Sequence, residues 1–189
     1  TIHEQNPTHI AVTFDTKAPT KRKILFPDYK EGRQEVDPVL HEQIPIVKEI
    51  LAPMGIPFYE KDKYEADDLI GTLSKQATEK GIKTLILTGD ADELQLVDEK
   101  TSVLMYSGFG RNRTIRTYDP AGVAERYDGL GPEFVAEIKA LEGDSSDNIP
   151  GVPGVGKKSA RTVLAKLGHF DSLFNNLAEV EQIEGLRGA

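Results

Sequence analysis
With 189 residues the chain suits one domain, or one with a small appendage, and can bury a sizeable core. Zero cysteines exclude disulfides and cysteine-based zinc sites and fit a reducing compartment. No signal-peptide pattern and no apolar run of bilayer-spanning length is visible, so a soluble, cytoplasmic protein with no membrane partner is expected. The formal charge of −8 argues against a uniformly phosphate-binding surface, but the charge is patchy. Residues 17–33 hold Lys17, Lys21, Arg22, Lys23, Lys30 and Arg33 against Asp28 and Glu31. Arg111, Arg113 and Arg116 cluster without acids, as do Lys157, Lys158, Arg161 and Lys166 within 151–170.

In chain order, residues 9–14 form a short apolar run that reads as a buried strand ending at Asp15. Helical patterns follow over 38–51 and 64–80, with a short strand between them at 56–58. Thr84-Leu-Ile-Leu-Thr88 is a second β-branched, apolar run, followed directly by Gly89-Asp90-Ala91-Asp92. Strands alternating with helices imply right-handed crossovers and a mainly parallel central sheet. Strands are predicted at 103–106 and 114–118, paired across 107–113. Asp119-Pro120 reads as an N-cap with Pro at N1, and Pro132 repeats the device before a helix that runs out at Gly143.

Tyr64-Glu65-Ala66-Asp67-Asp68 opens the second helix, whose apolar stripe is Ala66, Leu69, Ile70, Leu73 and Ala77. At about 100° per residue, Glu65 and Asp67 flank that stripe and Asp68 lies nearly opposite it. An acidic first turn is also what the helix dipole favours, and Gly-Asp after a strand is ordinary turn chemistry. In parallel sheets, however, ligands sit at the carboxyl ends of the strands. Asp15, Glu65, Asp67, Asp90 and Asp92 are thereby expected on one sheet edge, where mutual repulsion calls for cations. All-oxygen ligands favour Mg²⁺ or Mn²⁺.

Asp144-Ser-Ser-Asp147-Asn148 reads either as solvated turn formers or as carboxylates for a second metal. After it, Gly151, Gly154 and Gly156 lead into Lys157-Lys158 and a helical run to Leu167. Glycines before a helix expose N–H groups at its positive end and make a phosphate cradle; a plain helix–helix turn has the same composition. The segment narrowly misses Gly-x-x-x-x-Gly-Lys-Ser/Thr, because Lys158 stands where Ser or Thr is required, which leaves nucleotide binding as a weaker reading.

In combination, Val12-Thr-Phe-Asp15, Tyr29-Lys30-x-x-Arg33, Tyr64 to Asp68, Thr88 to Asp92, Gly143-Asp-Ser-Ser-Asp-Asn148 and Pro150 to Gly156 resemble the 5′-nuclease (flap endonuclease) family. The likeness is to the 5′→3′ exonuclease domains of bacterial DNA polymerases. The resemblance implies a PIN-like α/β nuclease core over 1–142 and a helix–hairpin–helix region over 143–189. It further implies a metal-dependent phosphodiesterase acting on flap, nicked or 5′-ended duplex DNA, with a polymerase domain in the same full-length chain. On this likeness Asp15, Glu65, Asp67 and Asp90 gather one metal, with Asp68 in support, and Asp92, Asp144 and Asp147 help gather a second. Lys30 and Arg33, one helical turn apart, resemble the catalytic pair on the scissile phosphate, and Arg22 lies in the arch around the 5′ strand. Gly151, Gly154, Gly156, Lys157, Lys158 and Arg161 grip duplex backbone, and the hairpin holds K⁺ through carbonyls. The family begins with an earlier strand that supplies another metal-binding Asp, and Lys21 replaces an aromatic. The chain therefore reads as an internal piece, and a competing expectation is a duplex-binding fragment that does not cleave.

Overall fold
The computed structural model describes residues 2–33, 37–108, 114–175 and 183. It forms two units, Thr1–Thr72 and Leu73–Ala189. The arginines expected at 111 and 113, the connection over 107–113 and the chain's last residues fall outside the described residues in whole or in part.

The first unit carries α1 (Ile2–Gln5), β1 (Val12–Thr13), α2 (Lys21–Leu25), α3 (Pro38–Leu51), β2 (Phe58–Tyr59) and the start of α4 (Ala66–Glu79). The strand expected over 9–14 shortens to two residues, paired in parallel with β2. Its partner is equally short, and begins after Pro57, which has no N–H to extend the ladder. Asp37 caps α3 through the Val39 N–H, with Pro38 in the first turn. Of α3 only Leu51 is buried; Val39, Leu40, Ile46 and Ile50 remain exposed. Neither α1 nor α2 is expected from the sequence. α2 is a single five-residue helix whose start is capped by the Thr20 hydroxyl on Lys23 N.

The second unit holds β3 (Thr84–Thr88), a 3₁₀ turn over Ala91–Leu96, β4 (Thr101–Ser107) and β5 (Thr114–Tyr118). β3 and β4 are parallel, in register from Thr84 on Thr101, and β4 and β5 antiparallel. Two of the three strand pairings are thus parallel, as the βα alternation implies, but they are shared between two sheets rather than one. Then come α5 (Pro120–Arg126), α6 (Val135–Glu142), α7 (Lys157–Leu167) and α8 (Phe170–Asn175). The Asp119 side chain caps α5 on Gly122 N at 2.8 Å, and Gly143 ends α6 at φ 80°. Leu94, Val103, Val123, Val135, Ile138 and Leu164 are almost wholly buried and form the core of this unit. Val163, Leu173 and Ile183 pack together beside it. No described helix is long and apolar enough to cross a membrane.

Candidate functional site
In the first unit the site is built around Glu65, the residue before α4, which is 5 % exposed. Its Oε2 accepts from Lys30 Nζ at 2.8 Å and from the Tyr29 hydroxyl at 3.1 Å, and Arg22 Nη1 stands 3.8 Å away. Lys30 reaches it from a run of turns, not from a helix. Pro27 and Gly32 (φ 79°) bracket this run, and Lys30 itself sits at φ 58°. Lys30 and Arg33 are therefore not one helical turn apart, a correction to the sequence reading; the left-handed backbone at Lys30 and Gly32 breaks the periodicity.

Asp68, on the far side of the stripe, takes a bidentate ion pair from Arg22, with both contacts at 2.8 Å. Its Oδ2 also accepts the Glu65 N–H at 2.9 Å, closing the first turn of α4. The Arg22 bond holds the Asp68 carboxyl below its ordinary value and raises the guanidinium. Asp15 accepts the Ala66 N–H at 2.8 Å and so caps α4 from another segment. Asp67 lies exposed on α4.

In the second unit β3 delivers Asp90 and Asp92 just past its carboxyl end. Asp90 caps the 3₁₀ turn through the Asp92 N–H at 2.9 Å, so its local chemistry is that of a cap. Asp92 Oδ1 is fully buried and accepts no aligned hydrogen bond; Lys139 Nζ lies 2.8 Å from it as an ion pair. The same ammonium lies 2.5 Å from Asp144 Oδ2. Asp144 Oδ1 accepts from the Ser146 N–H at 2.8 Å and hydroxyl at 2.6 Å. Burial pushes the Asp144 carboxyl up, but the bonds from Lys139 and Ser146 outweigh it and hold it at about 2. At Asp92 burial wins: Lys139 offsets only part of it, Asp90 and Asp144 add to it, and the carboxyl is raised. Burial works against the Lys139 ammonium, and the two carboxylates more than reverse this.

Asp147 follows Asp144 in a loop closed by paired Asp144 and Ile149 backbones. Gly151 and Gly154 take positive φ, and Gly156 begins α7 with no side-chain cap. The first N–H groups of α7 are left to other partners, with Lys157 and Lys158 exposed beside them. Arg161 departs from the expectation of an acid-free patch. Its Nη1 is 2.8 Å from Asp128 and 3.3 Å from the Arg126 carbonyl oxygen, and its guanidinium lies over Tyr127. Asp128 is distant in sequence, so no local charge count could pair them.

Among the described residues no three carboxylates stand close enough to share one ion. Pairs of carboxylates instead share the chain's own cations: Arg22 and Lys30 at Glu65 and Asp68, Lys139 at Asp92 and Asp144. Tyr29 belongs to a motif in the sequence but has no role assigned there, and Lys139 is not singled out by the sequence reading. A lysine in the last turn of a helix, just before a glycine cap and an aspartate, is the signal for Lys139. The donor set is all oxygen, the chemistry that a hard divalent cation prefers, and its buried Asp92 oxygen faces a cation already, the Lys139 ammonium.

Comparison with known proteins bears on both units. A family model for the 5′-3′ exonuclease N-terminal, resolvase-like domain matches residues 1–128, and one for the 5′-3′ exonuclease C-terminal SAM fold matches 130–188. DNA polymerase I of Chloroflexus aurantiacus is 42% identical over 176 residues, which is 93% of this chain and 19% of that protein. DNA polymerase I of Bacillus subtilis is 42% identical over 185 residues, 97% of this chain and 20% of that protein. The chain thus spans about a fifth of the length of these relatives. Among solved structures, a 5′-exonuclease of bacteriophage T5 with bound zinc superposes with a TM-score of 0.79 at 22% identity, covering 98% of this chain and 71% of that one. A T5 flap endonuclease variant in a complex with DNA and metal ions gives 0.78 at 22% identity, covering 93% and 66%. These likenesses establish the fold.

Proposed function
Because the chain belongs to the 5′-3′ exonuclease family, we propose that it is a divalent-metal-dependent phosphodiesterase that acts from 5′ ends on flap or nicked DNA. One observation carries the reading. Asp92 and Asp144, from just past β3 and α6, meet on a single cation, and the Asp92 oxygen that faces it is buried. Two such carboxylates are costly to a fold unless a cation sits between them.

In this reading Asp15, Glu65 and Asp67 are the first unit's candidate ligands for Mg²⁺ or Mn²⁺, and Asp90, Asp92, Asp144 and Asp147 are the second unit's. When bound, a pair of such ions activates water and stabilises the leaving oxygen. Arg22, Lys30 and Arg33 supply positive charge to the phosphodiester, with Lys30 already poised on Glu65. The uncapped start of α7, with Lys157 and Lys158, takes the phosphates of duplex DNA without reading sequence, and hairpin carbonyls offer a place for K⁺. The nuclease core is assigned to 1–142 and the duplex grip to 143–189. A polymerase domain in the same longer protein, as in the named relatives, completes the proposal.

A 5′-flap substrate and a nicked duplex, each incubated with the protein, are expected to be cut only when Mg²⁺ or Mn²⁺ is added. Asp90→Asn is expected to abolish cutting and keep DNA binding. Duplex binding that falls steeply with salt, with no cutting under any divalent cation, would reject the catalytic reading.

A further inference from the structure
Lys139 Nζ stands between two carboxylates of different elements, 2.8 Å from Asp92 Oδ1 and 2.5 Å from Asp144 Oδ2. Those two oxygens are the ones that would serve as ligands to a hard divalent cation. An ammonium and a dication have no room there together. On the reading of Asp92 and Asp144 as metal ligands, we propose that Lys139 is the resident counter-ion of that site. It keeps the two carboxylates together until a divalent cation arrives and must leave both for that cation to bind. Metal loading is then a cation exchange.

The surroundings are suited to such an exchange. The Lys139 backbone is fixed, since its carbonyl accepts the Gly143 N–H that ends α6. Its side chain is about a quarter exposed and has a flexible four-carbon stem that can swing to water. Asp144 stays aimed when the lysine departs, because Ser146 holds its other oxygen twice. Asp92 cannot be left alone. Its buried oxygen faces the ammonium at 2.8 Å, so the lysine is released only as another cation takes over. Without a resident cation, Asp92 and Asp144 would repel each other in the metal-free protein, with Asp90 close by.

The test is a calorimetric titration of the full chain with Mn²⁺ alone, without DNA, on wild type, Lys139→Met, Lys139→Arg and Asp144→Asn. Removing the competing ammonium is expected to tighten Mn²⁺ binding in Lys139→Met about fivefold, the worth of a partly exposed ion pair. Its melting temperature should fall in chelator and rise more on Mn²⁺ addition than that of wild type. Unchanged or weaker Mn²⁺ binding by Lys139→Met, alongside loss of binding in Asp144→Asn, overturns the exchange and leaves the metal reading standing. Wild-type Mn²⁺ binding by Asp144→Asn overturns the metal reading itself. Should Lys139→Met not fold, Lys139→Arg decides: its planar fork pairs more firmly with the carboxylates and should weaken Mn²⁺ binding, and unchanged affinity overturns the exchange.

Discussion

Gly143 and Gly151 meet backbone to backbone: a Cβ on Gly151 would fall 2.4 Å from Gly143 N, and one on Gly143 would fall 2.7 Å from the Ile149 carbonyl oxygen. Both residues have positive φ, 80° and 67°. The Val152 N–H donates to the Leu141 carbonyl at 2.9 Å, so the strand of chain leaving the hairpin is stitched to the end of α6. This contact sets the place of the Asp144 loop on one side and of the α7 start on the other.

Gly151→Ala is expected to destabilise the protein by about 3 kcal/mol, from left-handed strain together with a clash against rigid backbone. Denaturant unfolding measures it. A midpoint equal to that of wild type would mean that the hairpin opens without cost.

Asp144 and Asp92 should respond with opposite signs when neutralised in metal-free buffer. The folded Asp144 value, about 2, lies below the unfolded one. Its stabilisation is therefore complete above the ordinary carboxylate value and is lost as pH falls toward 2. Asp92 is raised, so ionising it costs the folded state, and that cost appears as pH rises through the unfolded value. Asp144→Asn is expected to lose about 2 kcal/mol at pH 7, the scale of hydrogen bonds to a charged group, and Asp92→Asn to melt higher than wild type. Thermal melts at pH 7 decide, and equal destabilisation by both substitutions would refute the assignment.

Asp98 provides a pH test away from the site. Its Oδ1 accepts the N–H groups of Lys100 at 2.7 Å and Thr101 at 2.6 Å, forming the turn that starts β4. Burial opposes its ionisation, yet these bonds prevail and the carboxyl is lowered. The contribution is present above the unfolded value and disappears as pH falls through the folded one. Asp98→Ala should cost about 1 kcal/mol at pH 7, with its melting curve converging on that of wild type at strongly acidic pH.

Arg22 and Asp68 form a bidentate pair at the surface, the arginine side chain being 45% exposed. A double-mutant cycle with Arg22→Ala and Asp68→Asn is expected to give a coupling of about 0.5–1 kcal/mol that shrinks in high salt. A coupling that persists unchanged at high ionic strength would point to a buried network instead.

Elements whose signal is local were legible in the residues. The span of α3, the limits of β3 and β5, and the Asp119-Pro120 start of α5 all follow from apolar periodicity and capping chemistry within a few residues. The 3₁₀ turn after β3 and the left-handed Lys30 were not legible, since a turn of that length leaves no periodicity to read. At the acidic helix start Glu65 is buried among Tyr29, Lys30 and Arg22, Asp68 serves Arg22 and the helix start, and Asp67 is exposed, a division that angular position alone does not give.

The sequence by itself determined the family motifs, the βα alternation, and the carboxylates and glycines from which a phosphodiesterase would be built, because these are matters of residue type and short spacing. Only the tertiary structure decided which charge answers which: Lys139 on Asp92 and Asp144, Lys30 on Glu65, Arg22 on Asp68, Arg161 on Asp128. Ion pairing depends on distance through space, and a charge count along the chain holds no information about it. Where the carboxylate is largely buried, as at Glu65 and Asp144, the fold supplies the cation that its burial requires.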